Sequence, residues 1–309
     1  MELAALRSPR RRRLPPVPRR TRTPGPSRPG KIPSRSRANG AAGPIRRGTA
    51  RPRLPRRPRN SPSAERESAA PAYNAAVGFI VRAITLDLDD TLWPFAPIAE
   101  RIERVLDAWM REHSPATAAM FPVPQMRALR ERVWREHPHL AHDLSALRRL
   151  TLEIALRESG GDLSLLDAAY EAFYAERNRV EFYPDALDAL ERIARRVPVA
   201  AVTNGNADLA VIGIDHLFAA ALHAREHGAA KPDAGIFHAA CERLGCPPGE
   251  VLHVGDHAEV DIVGAARAGL RACWINRVAA QWPPHEPAPD LHFDTLAGLA
   301  DWIEAHAGL

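Results

Sequence analysis

The apolar run Ala83-Ile84-Thr85-Leu86-Asp87-Leu88 is short, uninterrupted and ends among carboxylates, which predicts a buried strand over 82–88. The pattern then changes period. Ile98, Ile102, Val105, Leu106 and Trp109 recur at helical spacing and predict a helix over 97–113, stopped by Ser114-Pro115. Met126, Leu129 and Val133 share one face of a second helix over 124–137. A third is expected over 143–159, ended by Gly160-Gly161, and a fourth over 163–179. No strand signal interrupts the four, so they read as a small helical bundle.

Beyond it the period alternates. Helices are predicted over 184–196, 232–244 and 259–268, and strands over 197–203, 251–254 and 270–275. Alternating strands and helices imply a parallel sheet covered on both faces. The fold class is therefore α/β, with a Rossmann-like parallel-sheet core. The core is begun by residues 77–95 and completed by 182–309, with a helical cap, 96–181, inserted between them.

Composition changes the reading of the first 76 residues only. The chain has 309 residues and a net charge of +5, but its first 70 residues hold 20 Arg or Lys against 3 Asp or Glu, leaving 22 against 34 for the rest. Fourteen prolines fall by position 71, with almost no periodic apolar residue. Such a segment buries too little apolar surface to offset its ordering entropy, so residues 1–76 read as a disordered tail. Three origins stand for it: a start codon placed upstream of the working protein, a genuine solvated tail, or an Arg-rich segment for nucleic acid or targeting. Nucleic acid is not the expected partner of the folded part. Three cysteines, Cys241, Cys246 and Cys273, show no paired metal spacing and suit a reducing cytoplasm. No apolar run approaches the length of a membrane span.

Four polar clusters lie where strands end or helices begin: Asp87 with Asp89 and Thr91, then Thr203-Asn204-Gly205, Lys231-Pro232, and Gly255-Asp256 with Asp261. In open parallel sheets such ends converge on one crevice. Several carboxylates in one place repel and call for a divalent cation with oxygen ligands. A phosphate ester approaching them also needs a lysine, a hydroxyl and free backbone N–H groups. An aspartate is a competent nucleophile toward phosphorus, and a carboxylate two residues further on can carry the proton.

The strings Asp87-Leu88-Asp89-Asp90-Thr91, Thr203-Asn204-Gly205, Lys231-Pro232 and Gly255-Asp256-His257-Ala258-Glu259-Val260-Asp261 resemble the four ordered motifs of the haloacid dehalogenase-like (HAD) hydrolases. A helical insert straight after the first motif resembles the cap of their subfamily I. The resemblance implies a Mg²⁺-dependent phosphatase acting on a small phosphorylated metabolite. Asp87 would be nucleophile and metal ligand. Asp89 would be general acid/base, its backbone carbonyl on the metal. Thr203 and the Asn204 N–H would bind the phosphoryl group, and Lys231 would bridge Asp87 and the phosphate. Asp256 would bind the metal, with Asp261 beside it. Dehalogenases of the family lack the second aspartate, since a leaving halide needs no proton, so Asp89 argues against them; phosphomutases keep it. Within the family, Val202-Thr203-Asn204-Gly205-Asn206-Ala207, Leu252-His253-Val254-Gly255-Asp256 and Ala272-Cys273-Trp274-Ile275 look like bacterial riboflavin-pathway phosphatases, which act on phosphorylated ribitylaminouracil and flavin mononucleotide. Sugar-phosphate or phosphoglycolate phosphatases are the alternative. The expected state is a monomer or homodimer.

Other residues carry weaker expectations. Asp90 reads as a turn residue, and Trp93 and Phe95 as packing between core and cap or as an aromatic flap. His137, His139 and His142 read as a helix junction rather than a metal site. Arg148, Arg149, Arg177 and Arg179 read as solvated helix faces, with room for one to enter the crevice. Arg225, His227 and Gly228 read as a loop near the site, and Asp185 as a helix cap.

Overall fold

The computed structural model describes residues 78–306, so the readings of the basic tail lie outside the described residues. Six parallel strands form one sheet: β1 (Ala83–Leu86), β2 (Val199–Thr203), β3 (Ala220–His223), β4 (Val251–Gly255), β5 (Arg271–Ile275) and β6 (Leu291–Phe293), in the order β3-β2-β1-β4-β5-β6. The alternation of side chains along a strand divides the core. On β2, Val199 and Ala201 join one apolar cluster with Ile84 and Leu86, while Ala200 and Val202 join another with Ala83, Ile236 and Phe237. Each buried Leu or Ile contributes roughly 1.5–3 kcal/mol by leaving water.

Helices α1 (Phe95–His113), α2 (Pro115–Met120), α3 (Val123–Glu136), α4 (Leu144–Glu158) and α5 (Leu166–Arg177) lie between β1 and β2 in the chain. Helix α1 buries Ile98, Ile102, Leu106 and Met110, a stripe at i+4 spacing, and packs on α5; α3 packs on α4. Asp143 caps α4 by accepting from the Ala146 N–H at 2.8 Å, and Gly160, with φ of 68°, closes the turn after it. Ser114-Pro115 ends the first of these helices at His113, as expected. It also starts α2, because proline suits the first helical position.

Around the sheet lie α6 (Ala186–Ala194), α7 (Leu209–Ile212), α8 (Ala224–His227), α9 (Ala234–Leu244), α10 (Gly264–Arg267) and α11 (Leu296–His306), with a π-helical turn at Ala258–Val263. Helix α9 covers β2 and β3, and α6 packs on α11. The segment carrying Arg225, His227 and Gly228 is not a loop: the first two belong to α8, which Gly228 closes at φ 87°.

Asp185 is a cap, but not of the helix that follows it. Its carboxylate makes no cap bond in α6 and instead accepts from the N–H groups of Leu296 (2.8 Å) and Ala297 (3.2 Å) at the start of α11. It also accepts from Arg277 Nη1 at 2.8 Å, whose Nε donates to the Thr91 carbonyl at 3.0 Å. Burial alone would raise the Asp185 pKa, but Arg277 and the N–H groups more than offset this and hold it below the usual value. A folded-state pKa below the unfolded one adds stability above the unfolded pKa, and that contribution is lost as pH falls through the folded one. Asp185→Ala is therefore expected to lower stability by about 0.5–2 kcal/mol at neutral pH. In urea titrations the gap to wild type should close below about pH 4. A deficit unchanged by acid would refute the assignment.

Candidate active site

The direction of the crossovers reverses between β1 and β4, the place where an open parallel sheet leaves a crevice beyond its strand ends. Asp87 follows β1 there, its N–H donating to the Val254 carbonyl of β4 at 2.9 Å. Asp256 follows β4, and the π-helical turn brings Asp261 back over Gly255. A Cβ on Gly255 would lie 2.4 Å from the Asp261 carboxyl carbon, so only glycine leaves room for that carboxylate. Carboxylate oxygens of Asp87, Asp256 and Asp261 all fall within 4.8 Å of one another.

Lys231, fully buried at the end of a short turn, donates from Nζ to Asp87 Oδ1 at 2.6 Å and to Asp261 Oδ1 at 2.7 Å. The side chain of Asn204 fixes this lysine's backbone: its Oδ1 accepts from the Lys231 N–H at 2.7 Å and its Nδ2 donates to the Lys231 carbonyl at 2.9 Å. Thr203 Oγ1 accepts from the Gly205 N–H at 2.9 Å, tightening the turn that opens onto the crevice.

The charges do not balance. Burial pushes the Asp87 carboxyl well above the usual carboxylate range; Lys231 opposes this, and Asp261 and Asp256 add to it. Burial, then the charges of Asp261 and Asp90, raise Asp256 to about 7. Burial would also raise Asp261, but Lys231 and His253 hold it low. His253 adds no full charge: burial lowers its pKa, and Thr85 Oγ1 bonds its Nδ1 at 2.9 Å. Three carboxylates against one lysine, with oxygen donors only, fit a hard divalent cation such as Mg²⁺. Asp87, Asp256 and Asp261 are the residues placed to hold it.

Asp89 stands apart from that cluster. Its Oδ2 accepts from Arg177 Nη2 and its Oδ1 from the Trp93 indole N–H, at 2.7 and 2.8 Å. Arg177 comes from the last turn of α5, is 2% exposed, and also donates from Nε to Asn206 Oδ1 at 3.0 Å. Of the four arginines with solvated-face expectations, this one reaches Asp89, and Arg148 lines the cavity above it. The signal was available in the sequence: Ala169, Phe173 and Arg177 are four residues apart, and all three are buried.

The other expectations resolve simply. Asp90 is a turn residue with φ of 59°, its Oδ1 accepting from the Phe95 N–H at 2.9 Å. Trp93 is fully buried and meets Phe182 edge to face, which is packing where the chain leaves and re-enters the core. His137, His139 and His142 form no metal-binding group among the described residues. Arg225 faces Asp143 at the start of α4, 3.6 Å away. The cysteines are all free, and no helix among the described residues is long and apolar enough to cross a membrane.

Above the crevice, a cavity of about 670 Å³ separates the strand ends from the helical insert. Asp89, Asn204 and Gly205 form its floor, and Phe95, Trp134, Arg148 and Phe173 stand on its walls. This size lies within the range of small-molecule sites.

Residues 81–269 match the signature of the haloacid dehalogenase-like hydrolases, and the chain belongs to that family. With Asp89 in place, it is an enzyme of the family's phosphatase kind. It is 33% identical over 230 residues to a 5-amino-6-(5-phospho-D-ribitylamino)uracil phosphatase, YigB, of Escherichia coli, covering 72% of this chain and 96% of that one. It is 35% identical over 211 residues to a phosphoserine phosphatase of Thermus thermophilus, covering 66% and 76% of the two chains. A solved 2-haloacid dehalogenase from Pseudomonas syringae superposes with a TM-score of 0.69 at 35% identity, over 74% of this chain and all of that one. The fold is thus shared by proteins named for two chemistries, and the residues decide between them.

Proposed function

We propose that the chain is a Mg²⁺-dependent phosphatase that hydrolyses a small phosphorylated metabolite through an aspartyl-phosphate on Asp87. The leading candidates for that metabolite are 5-amino-6-(5-phospho-D-ribitylamino)uracil and flavin mononucleotide. The observation that carries the reading is Lys231 Nζ bridging Asp87 and Asp261 beside Asp256, with Asp89 two residues beyond the nucleophile. The identity to YigB supports the substrate choice. Residues 96–181 act as the cap, and the protein works in the cytoplasm as a monomer or homodimer.

Asp87 Oδ attacks phosphorus in line with the ester oxygen, and the phosphorus–ester bond breaks. Asp89 gives its proton to the departing alkoxide, so the alcohol leaves neutral. The Asp89 carboxylate then takes a proton from water, whose oxygen attacks phosphorus and releases Asp87 and inorganic phosphate. Lys231 neutralises charge on Asp87 and the phosphoryl oxygens, and Thr203 and the Asn204 N–H bind those oxygens. A bound Mg²⁺ supplies positive charge that lets an anionic ester approach the carboxylates.

Purified protein is expected to release phosphate from p-nitrophenyl phosphate, and chelation by EDTA should remove that activity, with Mg²⁺ restoring it. Full activity in EDTA after exhaustive dialysis would overturn the metal dependence.

A further inference from the structure

We propose that Arg148 is the specificity-determining residue of a leaving-group subsite in the cavity above Asp89. The subsite takes phosphomonoesters whose alcohol part carries oxygen acceptors, ring carbonyls or a carboxylate, at the end remote from the phosphate. This rests on the phosphatase reading and deepens it.

Six arginines of the insert are paired with carboxylates. Arg101 donates to Glu176 at 2.7 Å, and Arg127 and Arg130 share Glu103. Arg132 pairs with Glu158, Arg149 with Asp167, and Arg157 with Glu153. Arg148 differs. Among the described residues no carboxylate lies within ion-pair distance of its guanidinium and no hydrogen-bond acceptor meets it; its contact is the face of Phe173, 4.7 Å from carbon to ring centroid.

A guanidinium so placed is poorly compensated. Burial, then the neighbouring Arg130 charge, push its pKa down to about 10. A cation–π contact offsets part of the desolvation but satisfies none of the five N–H donors. Arg148 is on the wall of the same cavity whose floor is Asp89, Asn204 and Gly205. The cavity therefore offers a phosphoryl end at the strand ends and an unpaired planar donor fork on the insert. Such a fork binds paired oxygen acceptors in its own plane. Trp134, 47% exposed on the same wall, adds a flat apolar surface beside it. An ester whose alcohol part ends in hydroxyls alone offers the fork single neutral acceptors rather than a charged or coplanar oxygen pair, and so binds it more weakly.

The test uses the full chain with Mg²⁺ and three esters. Flavin mononucleotide carries ring carbonyls, O-phosphoserine a carboxylate, and glycerol 2-phosphate neither. Wild type is expected to have a higher kcat/KM on at least one of the first two than on glycerol 2-phosphate, and which one identifies the source of the acceptors. Arg148→Ala should raise KM for that preferred ester roughly tenfold or more, the effect of losing a charge-assisted bond. Its kcat on that ester, and its kcat/KM on glycerol 2-phosphate, should stay within about twofold of wild type. Arg148→Lys, which keeps charge but not the fork, should recover only part of the loss. Equal losses on all three esters, an unchanged KM, or a wild-type preference for glycerol 2-phosphate would overturn the subsite while leaving the phosphatase reading standing. A wild type inactive on all three and on p-nitrophenyl phosphate would instead overturn that reading, and the subsite with it.

Discussion

Asp87→Asn is expected to abolish phosphate-ester hydrolysis, by roughly 10⁴-fold or more, while leaving the protein folded. Asparagine matches aspartate in shape but cannot form an acyl phosphate in the same way, so the loss falls on the chemical step rather than on binding. The stability side has a definite sign. Asp87 sits where burial and two neighbouring carboxylates raise its pKa well above the ordinary value. A raised folded-state pKa means that the charged form opposes folding once pH exceeds the unfolded pKa. Removing that charge should leave the melting temperature in EDTA at neutral pH unchanged or higher. A folded Asp87→Asn protein that turns over p-nitrophenyl phosphate at the wild-type rate would remove Asp87 as the nucleophile. A sharp fall in melting temperature would show instead that the Lys231 contact outweighs the repulsion.

The second large effect is expected at Lys231. Lys231→Met should destabilise the protein by about 3–5 kcal/mol, the effect of removing one partner from a buried ion pair. It should also lower kcat by roughly 10²–10³-fold, as for loss of a group that stabilises developing negative charge. The lysine donates to Asp87 and Asp261 at once, at 2.6 and 2.7 Å, so its loss leaves two carboxylates facing each other with Asp256 alongside. Denaturant titration of Lys231→Met, Asp261→Asn and the double variant isolates the coupling. The double variant should lose clearly less stability than the two single losses combined. Strict additivity would mean that Lys231 and Asp261 do not act as a pair.

What could be read in the sequence, and what could not, follows from how much each segment depends on distant contacts. Strands β1, β2, β4 and β5 were legible because they are buried on both faces and so appear as continuous apolar runs. Their polar ends gave Asp87, Thr203, Asn204 and Asp256 directly. Edge strands β3 and β6 are four and three residues long and only partly buried, too short and mixed to stand out from a loop. Helix α11 also went unread. Its first two N–H groups are held by Asp185, 111 residues earlier in the chain, and only the Thr295 hydroxyl, accepting from the Gly298 N–H at 3.2 Å, marks its start locally. The same distance hid the partners of Asp89. That a carboxylate lies two residues after Asp87 is visible in the string; that Arg177, 88 residues on, grips it is a fact of the fold. The π-helical turn was read as an ordinary helix, because its residue pattern fits either and only the position of Asp261 over Gly255 distinguishes them.

The Arg177–Asp89 contact also sets a condition on timing. Asp89 lies on the turn after β1 and Arg177 in the last turn of α5, so the group proposed to deliver the proton is tied to the helical insert that walls the cavity. Each Asp89 oxygen accepts one hydrogen bond, from Arg177 or from Trp93, and the Arg177 bond holds the carboxylate in its charged form. An occupant of the cavity that draws Arg177 aside also releases Asp89. By reciprocity, whatever favours the released Asp89 tightens the hold on that occupant by the same factor. Admission of the ester and readiness of the acid are two readings of one equilibrium.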